Sequence, residues 1–528
     1  MWYAAYSTPD AKYGAVNAET EVMESDIIEA DENTLTLWYT DEALSDYLLT
    51  AALLYQKDTG VKVNPILVSG VNYLEEINYA SIGKLDEAGN PMSELPMPDV
   101  YLTTHDNLLR AYLAGLAAPI SDGRLIMKPS YMPQTALHAV SCYDQYVGYP
   151  LYFETNIFLY NKTYMSDIAK NKIEDEADRA EGELAQEEAD NMDDATKAEE
   201  AKKTEEESLQ EESQDDSENA DGTDSATSDE NAMESEDTPM GDEDVETSPE
   251  ILERLSTMIP STIDDITTFA NNYDAPETVE SVFKWDVADI FYNYFFIGGY
   301  AEVGGEDGDN IGIFNLYNPQ AVECLQVYQN MNQFFSIDAK DVTYDSVLKE
   351  FIEGKTVFTV ATTDAIAKIE AARAAGEFDF DYGITTLPDI SSLLKSRGLS
   401  VTTAVAVNGY TSKQSAANDF ASYLCSEKAA DLYAKAGKIA CYRNVQYNIE
   451  DMINIVKEYE KSVPLPKVVE ASNYWVQLEI AFTKVWSGED PDATLKELSD
   501  TIGAQIDEIK ANLPVSQTFS AGGNKYVQ

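Results

Sequence analysis

The residues most able to do chemistry are polar side chains at the ends of predicted strands. Asp41 and Glu42 follow the apolar stretch TLTLWYT, and His105 and Asp106 follow DVYL. Glu154 is the one acid in the apolar crossover YPLYFETN. Because carboxylates accept strong charge-assisted hydrogen bonds, these side chains suit a small ligand that is rich in hydrogen-bond donors.

Each of these residues also has a structural interpretation. Asp41 and Asp106 precede predicted helices and could cap them. Glu154 could be a buried carboxylate that is satisfied by an internal partner. We keep both interpretations for Asp41 and Glu154. We favour ligand contact for Glu42, His105 and Asp106, because loops at strand ends carry function disproportionately.

The elements that would position these residues alternate between strands and helices. TLTLWYT is followed by a helix whose apolar face recurs at helical spacing, then by Gly60 and the strand VKVNPILV. A strand–helix–strand unit of this kind builds a parallel sheet. The same alternation continues after residue 252, so the sequence predicts an α/β protein.

Length and charge limit the possible classes of protein. A chain of 528 residues is too long for one core and predicts two or more domains. The net charge of −61 excludes nucleic acid as a partner, because phosphate contacts need an excess of lysine and arginine. Four cysteines show no metal-binding or disulfide-framework spacing. Buried thiols are the favoured interpretation, although Cys425 and Cys441 could pair.

Three segments read as unfolded. Residues 1–33 and 515–528 form polar tails, and residues 165–251 form an acidic low-complexity insert. Between Ser166 and Glu250 there are 34 acidic and 6 basic residues, a net charge of −28, and no Phe, Tyr or Trp. Such a composition buries too little apolar surface to offset the entropy of ordering, so we predict disorder in this insert.

Five sequence blocks, taken in order, carry a resemblance to a known family. They are TLTLWYTDE with LYQKDTGVKV, MPDVYLTTHDNLLRAYLAGLAAPISD, YVGYPLYFETNIFLYNKTYM, FIEGKTVFTVAT and YWVQLEIAFTKVWSGEDPDATL. Together they resemble the extracellular sugar-binding proteins of ABC importers, the family of maltose-binding protein. The resemblance spans roughly residues 34–514. The acidic insert and the absence of a visible leader or lipid-attachment cysteine depart from the family pattern.

The resemblance implies a two-lobed periplasmic-binding-protein fold with discontinuous lobes and a hinge. Lobe 1 would comprise residues 34–152 and 400–446. Lobe 2 would comprise residues 153–164, 252–399 and 447–514. The ligand would lie in the cleft between the lobes, beyond the carboxyl ends of the strands.

The resemblance also implies further ligand contacts in lobe 2. Trp475, with its neighbour Tyr474, matches the family's stacking aromatic on a late helix, although core packing is the alternative. Trp285 and Asp286 lie near a family position that carries an acid and an aromatic contact. Asp364 stands where maltose-binding relatives often carry a stacking tryptophan.

The function implied is capture of a small solute, with a sugar or oligosaccharide expected, and its delivery to the membrane permease of an ABC importer. Thr103 and Asp364 replace two stacking aromatics of maltodextrin binders, which puts maltose itself in doubt. The many carboxylates leave a cationic solute such as a polyamine as an alternative, and a glycoside hydrolase as a more distant one.

The remaining expectations concern partners and place. With only His105 and His138, the sequence holds no multi-histidine metal site, and it holds no GxSxG nucleophile motif, so we expect neither catalysis nor a cofactor or metal. The resemblance implies a monomer outside the cytoplasm, at the cell surface or in the periplasm. A lipid anchor in the precursor would make it a lipoprotein.

Overall fold

The computed structural model describes most of the chain, and the predicted tails, 1–33 and 515–528, lie outside what it describes. The described residues are 34–120, 125–184, 186, 248–426, 428–468 and 473–512. They fall into two compact units. One comprises the described residues of 34–161 and 260–512, and the other comprises those of 162–259.

The strands all belong to the first unit. They are β1 (Thr34–Tyr39), β2 (Lys62–Leu67), β3 (Val100–Thr104), β4 (Ser141–Cys142), β5 (Gln145–Tyr146), β6 (Tyr149–Asn161), β7 (Ser281–Phe283), β8 (Glu302–Gly304), β9 (Asn310–Asn315), β10 (Thr356–Thr362), β11 (Tyr382–Thr385), β12 (Leu399–Val407), β13 (Ile439–Ala440) and β14 (Val463–Pro464).

Helices connect most of these strands. They are α1 (Ser45–Thr59), α2 (Tyr73–Ile82), α3 (Leu108–Leu113), α4 (Gln134–Ala139), α5 (162–184), α6 (Pro249–Met258), α7 (Ile263–Asn272), α8 (Ile290–Asn293), α9 (Pro319–Phe335), α10 (Tyr344–Ile352), α11 (Asp364–Ala375), α12 (Gln414–Leu424), α13 (Leu432–Ala436), α14 (Met452–Lys461), α15 (Tyr474–Trp486) and α16 (Pro491–Asn512).

The first unit confirms the predicted strand–helix–strand start. β1 is buried at alternate positions and then throughout its last three residues. Asp41 caps a short 3-10 turn by accepting a bond from the backbone N–H of Ala43 at 3.0 Å. Gly60, in the left-handed region at φ 78°, ends α1, and the chain returns as β2, which pairs with β1 in parallel.

β6 connects the two halves of the large sheet. Up to Thr155 it pairs with β12 and β13, and from Asn156 it pairs with β10 and β11. The main strand order is β2-β1-β3-β12-β6-β10-β7. β1, β2 and β3 are mutually parallel on one side, whereas β7 and β10 are parallel on the other. Each half carries its own helices, so the unit has two lobes that share β6.

One predicted helix is divided in the structure. The segment QSAANDFASYLCSEKAADLYAKAG forms α12 and α13, separated by a 3-10 turn at Ala429–Asp431. The Ser426 hydroxyl donates to the Ser422 carbonyl at 2.5 Å at the end of α12. Such a side-chain bond offers a carbonyl at the end of the helix a local partner.

The second unit contains α5 and α6. α5 covers the first part of the predicted acidic insert and is exposed at nearly all positions beyond Ala169. Its alanine, glutamate and lysine residues have high helix propensity, which the prediction of disorder gave too little weight. Arg254 of α6 forms an ion pair with Glu176 of α5. The rest of the insert, residues 187–247, lies outside the described residues.

All four cysteines are buried and unpaired, which confirms the interpretation of buried thiols. The pKa of the Cys425 thiol is raised by burial, which keeps it protonated. Among the helices that the structure describes, none is long and apolar enough to span a bilayer.

Candidate functional site

Strand ends from both lobes face the middle of β6. Thr104, the last residue of β3, pairs with Thr403 of β12. On its other side, Thr403 pairs with Tyr152 of β6. Thr362, the last residue of β10, pairs with Asn156 of β6. Tyr152 and Asn156 are four residues apart on β6, a distance of about 13 Å along the strand. The loops that follow β3 and β10 therefore face each other across a short interval of β6, which is where open α/β sheets bind ligands.

The floor of this interval is formed by Glu154 and Lys438. Lys438 precedes β13, which pairs with β6 at Phe153, so the lysine lies beside Glu154. Its Nζ is 2.8 Å from Glu154 Oε1 and 3.4 Å from Asp41 Oδ2. The Lys438 side chain is 18% exposed and that of Glu154 24%, so both keep access to solvent.

Electrostatics keep Lys438 charged. Burial opposes its charged form, but Glu154, Tyr152 and Asp41 together raise the pKa of the ammonium above its usual value. Its Nζ also lies 5.4 Å from the centre of the Tyr152 ring, within cation–π range. The structure thus brings two predicted residues, Asp41 and Glu154, to one lysine that the sequence reasoning missed.

The lobe-1 wall consists of the predicted residues that follow β1 and β3, namely Asp41, Glu42, His105 and Asp106. Asp41 caps the 3-10 turn, which confirms its structural interpretation, and its carboxylate also approaches Lys438. Glu42, in the same turn, is exposed. Asp106 is partly buried, and its charge acts on His105 and Lys467.

His105 lies inside the protein. Its Nδ1 accepts a bond from the Thr402 N–H at 3.0 Å, so the proton is on Nε2, which donates to the Leu465 carbonyl at 3.0 Å. Burial lowers the pKa of His105 to about 4, so the ring is neutral at neutral pH. Because both nitrogens have internal partners, this ring connects three chain segments rather than pointing at a ligand.

The lobe-2 wall consists of Trp285 and Asp286 after β7, Asp364 after β10, and Trp475 with Tyr474 at the start of α15. Asp364 has three side-chain neighbours. The Tyr344 hydroxyl donates to its Oδ1 at 2.7 Å, Lys368 Nζ lies 2.9 Å from its Oδ2, and the Thr362 hydroxyl donates to it as well. The side chain of Asp364 remains 29% exposed.

Trp285 and Asp286 are turned towards the core. The Trp285 ring is fully buried, stacks on Phe283 at 4.5 Å, and donates from Nε1 to Asn293 at 2.9 Å. The Asp286 carboxylate accepts bonds from three backbone N–H groups, one of them that of Tyr344 at 2.8 Å. The structure therefore gives both residues internal partners in place of the ligand contact that the resemblance implied.

Trp475 is half-buried, whereas the adjacent Tyr474 is fully buried. The Trp475 indole meets the Tyr294 ring edge to face, with 5.7 Å between ring centres. The next residue, Phe295, accepts a backbone bond from Arg397, two residues before β12 begins. Trp475 is thus the one predicted aromatic that combines partial exposure with packing close to the junction of the lobes.

Metal binding has no support in the part of the chain that the structure describes. No group of three or more histidine, cysteine or acidic side chains there could hold an ion. The arrangement instead offers hydrogen-bond donors and acceptors beside aromatic rings, which suits non-covalent recognition.

The comparisons with known proteins agree on the type of protein. The family model of bacterial extracellular solute-binding proteins matches residues 54–446. A search of curated proteins found no match for the chain.

Several solved structures are similar in fold. An extracellular solute-binding protein from Staphylococcus aureus in complex with maltose has 18% identity and a TM-score of 0.62, covering 91% of this chain and 100% of that one. A cyclo/maltodextrin-binding protein complexed with maltotetraose has 16% identity and a TM-score of 0.62, covering 90% and 98%. A maltose-binding periplasmic protein from Listeria monocytogenes in complex with maltose has 17% identity and a TM-score of 0.59, covering 92% and 99%. The predicted two-lobed α/β fold is confirmed.

Proposed function

The chain belongs to the family of bacterial extracellular solute-binding proteins, and we propose that it captures a neutral sugar or oligosaccharide between its lobes for an ABC importer. The observation that carries this proposal is the convergence of strand ends from both lobes on Glu154 and Lys438 in the middle of β6. A ligand bound there would touch both lobes at once, and lobe closure would exclude water from its polar contacts.

The lysines favour a neutral, hydroxyl-rich ligand over a polycation. Lys438 lies between Asp41 and Glu154, and Lys368 lies beside Asp364. A polyamine would have to displace these ammonium groups or bind next to them, and like charges repel at such distances. Sugar hydroxyls both donate and accept, so they can bond to a carboxylate and to an ammonium group at the same site.

Each candidate residue has a proposed role. Trp475 stacks against the apolar face of a sugar ring, as flat aromatic side chains do. Glu154 and Asp41 accept bonds from hydroxyl groups, and Lys438 donates to them. The residues proposed to reach the ligand from the rims of the cleft are Glu42, Asp106 and Asp364. Those proposed to hold the walls in place from behind are His105, Trp285, Asp286 and Tyr474.

The family supports a proposal on delivery and location. Both solute-binding relatives from Staphylococcus aureus and Listeria monocytogenes were solved with maltose, which supports a carbohydrate as the ligand class. We propose that this protein acts as a monomer outside the cytoplasm, anchored by a lipid in its precursor, and passes its ligand to permease subunits in the membrane.

Binding can be tested by screening mono- and oligosaccharides for thermal stabilisation and by calorimetry of the hits. A ligand at 100 times its Kd should stabilise the folded state by about 2.7 kcal/mol. Trp475→Ala should raise the Kd about tenfold or more, through loss of the stacking surface. Val476→Ala, on the exposed side of the same helix, is the matched control and should leave the Kd unchanged.

Three outcomes would contradict the proposal. A broad glycan screen that gives neither thermal stabilisation nor a heat of binding would exclude a sugar as the ligand. Binding of spermidine or putrescine that weakens strongly with salt would replace it with a cationic solute. Cleavage of a bound oligosaccharide, seen by chromatography, would identify a glycoside hydrolase instead.

A further inference from the structure

The turn between β8 and β9 contacts a region far away in sequence. Asp307 in this turn accepts bonds from two residues near the end of α4. His138 Nδ1 lies 2.6 Å from its Oδ1, and the Ser141 hydroxyl donates to its Oδ2 at 3.2 Å. Asp309 accepts a bond from the backbone N–H of Tyr143 at 2.6 Å. Two carboxylates of one short turn therefore bind one stretch of six residues, 138–143.

Lys467 strengthens the same junction. This residue is 2% exposed, and its Nζ donates to the carbonyls of His138 and Ala139 at 2.8 and 3.1 Å. Its backbone N–H donates to the Gly308 carbonyl at 2.7 Å. Gly308 has φ 67°, and a Cβ there would lie 3.1 Å from the Cα of Pro466, so the two backbones are in close contact.

The two sides of this junction belong to different lobes. β4, which follows α4, packs against α3, in the lobe built on β1 and β3. β9 packs against α16, which in turn packs against α9 and α15 in the other lobe. The contact is separate from the Glu154–Lys438 floor and uses none of its side chains. It therefore connects the lobes at a place away from that floor.

We propose that His138 and Asp307 form a pH-sensitive latch that holds the two lobes in the arrangement seen here. At low pH the pair is an imidazolium and a carboxylate, joined by a charge-assisted hydrogen bond. At high pH the ring is neutral and the bond is weaker. The lobes of the unliganded protein then leave this arrangement more often, because a change in one contact shifts the balance between two states.

The charges around His138 determine the direction of the pH effect. The hydrogen bond that His138 donates to Asp307 raises the pKa of the ring, whereas burial lowers it. The charges of Asp307 and Glu306 raise it and that of Lys467 lowers it, and the net result is a raised pKa. A group whose pKa is raised stabilises the arrangement below its ordinary pKa of about 6.5, and this contribution is lost as pH rises through the raised value.

The other elements packed against α4 contribute charges that already have partners. From α14, Glu460 accepts from Thr135 through its carbonyl, while its carboxylate forms an ion pair with Arg443. Glu154 is the acid on β6, and it is paired with Lys438. β14, Val463–Pro464, has no titratable side chain. The latch should therefore respond to pH mainly through His138.

The experiment measures the distance between the lobes in the full chain without ligand. Leu113→Cys in lobe 1 and Leu393→Cys in lobe 2 lie at sites that are 61% and 86% exposed, whereas the native thiols are buried. Spin labels at these sites give a distance distribution by pulsed electron resonance. We expect the ratio of molecules with the label distance of this structure to all other molecules to fall as the pH rises from 5.5 to 8. The fall should be roughly tenfold for each unit by which the fold raises the pKa of His138.

His138→Gln and Asp307→Asn test the assignment independently, and thermal melting checks that each variant folds. Both should lower the population of this arrangement at pH 5.5 and remove most of its pH dependence. Glu306→Gln, at an 89% exposed side chain 3.9 Å from the ring, is the control and should retain the pH dependence. Wild-type distances that do not change with pH, or a pH dependence that persists in His138→Gln, would overturn the latch.

The latch does not rest on the proposed function. A glycan screen without any binding would exclude a sugar as the ligand and would not affect the measured distances between the lobes. Distances that do not respond to pH would remove the latch and leave sugar binding intact.

Discussion

The two walls of the candidate site are held in different ways. In the lobe-1 wall and the floor, contacts join residues that are far apart in sequence. His105 binds Thr402 and Leu465, 297 and 360 residues away, and Lys438 binds Glu154, 284 residues away. Around Asp364 in the lobe-2 wall, by contrast, Tyr344 binds the carboxylate from only 20 residues away.

This difference indicates how each side should respond to change. A substitution in the lobe-1 wall or the floor removes contacts between elements that meet only in the folded protein, so it should reduce global stability. A substitution among the exposed groups around Asp364 alters contacts within one short stretch of chain. This part of the lobe-2 wall can therefore change its ligand contacts at little cost in stability.

The largest expected effect concerns His105 in acid. The folded protein binds a proton at His105 only near pH 4, whereas the unfolded chain does so near pH 6.5. Between these values the unfolded state holds more protons, so the free energy of unfolding falls as pH is lowered, by about 3 kcal/mol in total from this group. Urea unfolding at pH 4.5 and 7 measures this loss.

The two histidines of the chain form a matched pair for this experiment. His105→Gln should lose less stability on acidification than the wild type. His138→Gln should lose more, because the pKa of His138 is raised in the folded state. Equal pH dependence in all three proteins would contradict the role of His105 as a neutral cross-link.

A smaller effect is expected at the floor. Lys438→Met leaves Glu154 and Asp41 close together without their shared cation. Because these side chains are partly exposed, the loss should lie between those of surface and buried ion pairs, about 2 kcal/mol. Glu154→Gln, which keeps the shape and removes one charge, is the comparison. Urea unfolding at pH 7 measures the loss in the free energy of unfolding. A loss for Lys438→Met as small as that for Lys368→Met would contradict the difference between the floor and the lobe-2 wall.

The smallest effect is expected at the lobe-2 wall. Lys368→Met removes the i,i+4 partner of Asp364, and the Lys368 side chain is 45% exposed. The Tyr344 hydroxyl still donates to the carboxylate, so the loss of stability should be about 0.5 kcal/mol or less. The same variant should change affinity for the ligand if Asp364 contacts it. Calorimetry with a hit from the glycan screen measures this, and a stability loss above 1 kcal/mol would contradict local support.

Sequence reasoning succeeded where the information is local. The strand–helix–strand start, Asp41 as a cap and Glu154 in a buried crossover all follow from short patterns. It did not identify Lys438, because nothing near that residue in the sequence indicates its two carboxylate partners. Trp285 was predicted as a ligand contact but packs in the core. An aromatic residue near a strand end looks the same in sequence whether it stacks on Phe283 or on a ligand.

β12 also imposes an order of events during synthesis. It lies between β3 and β6, so the central part of the large sheet stays incomplete until Val407 has left the ribosome. β6 is complete at Asn161, and the stretch from there to Val407 takes roughly 12–50 s to make at about 5–20 residues per second. During that time the facing edges of β3 and β6 remain unpaired, and exposed strand edges invite aggregation. The nascent chain therefore has a long interval in which binding by a chaperone would protect it.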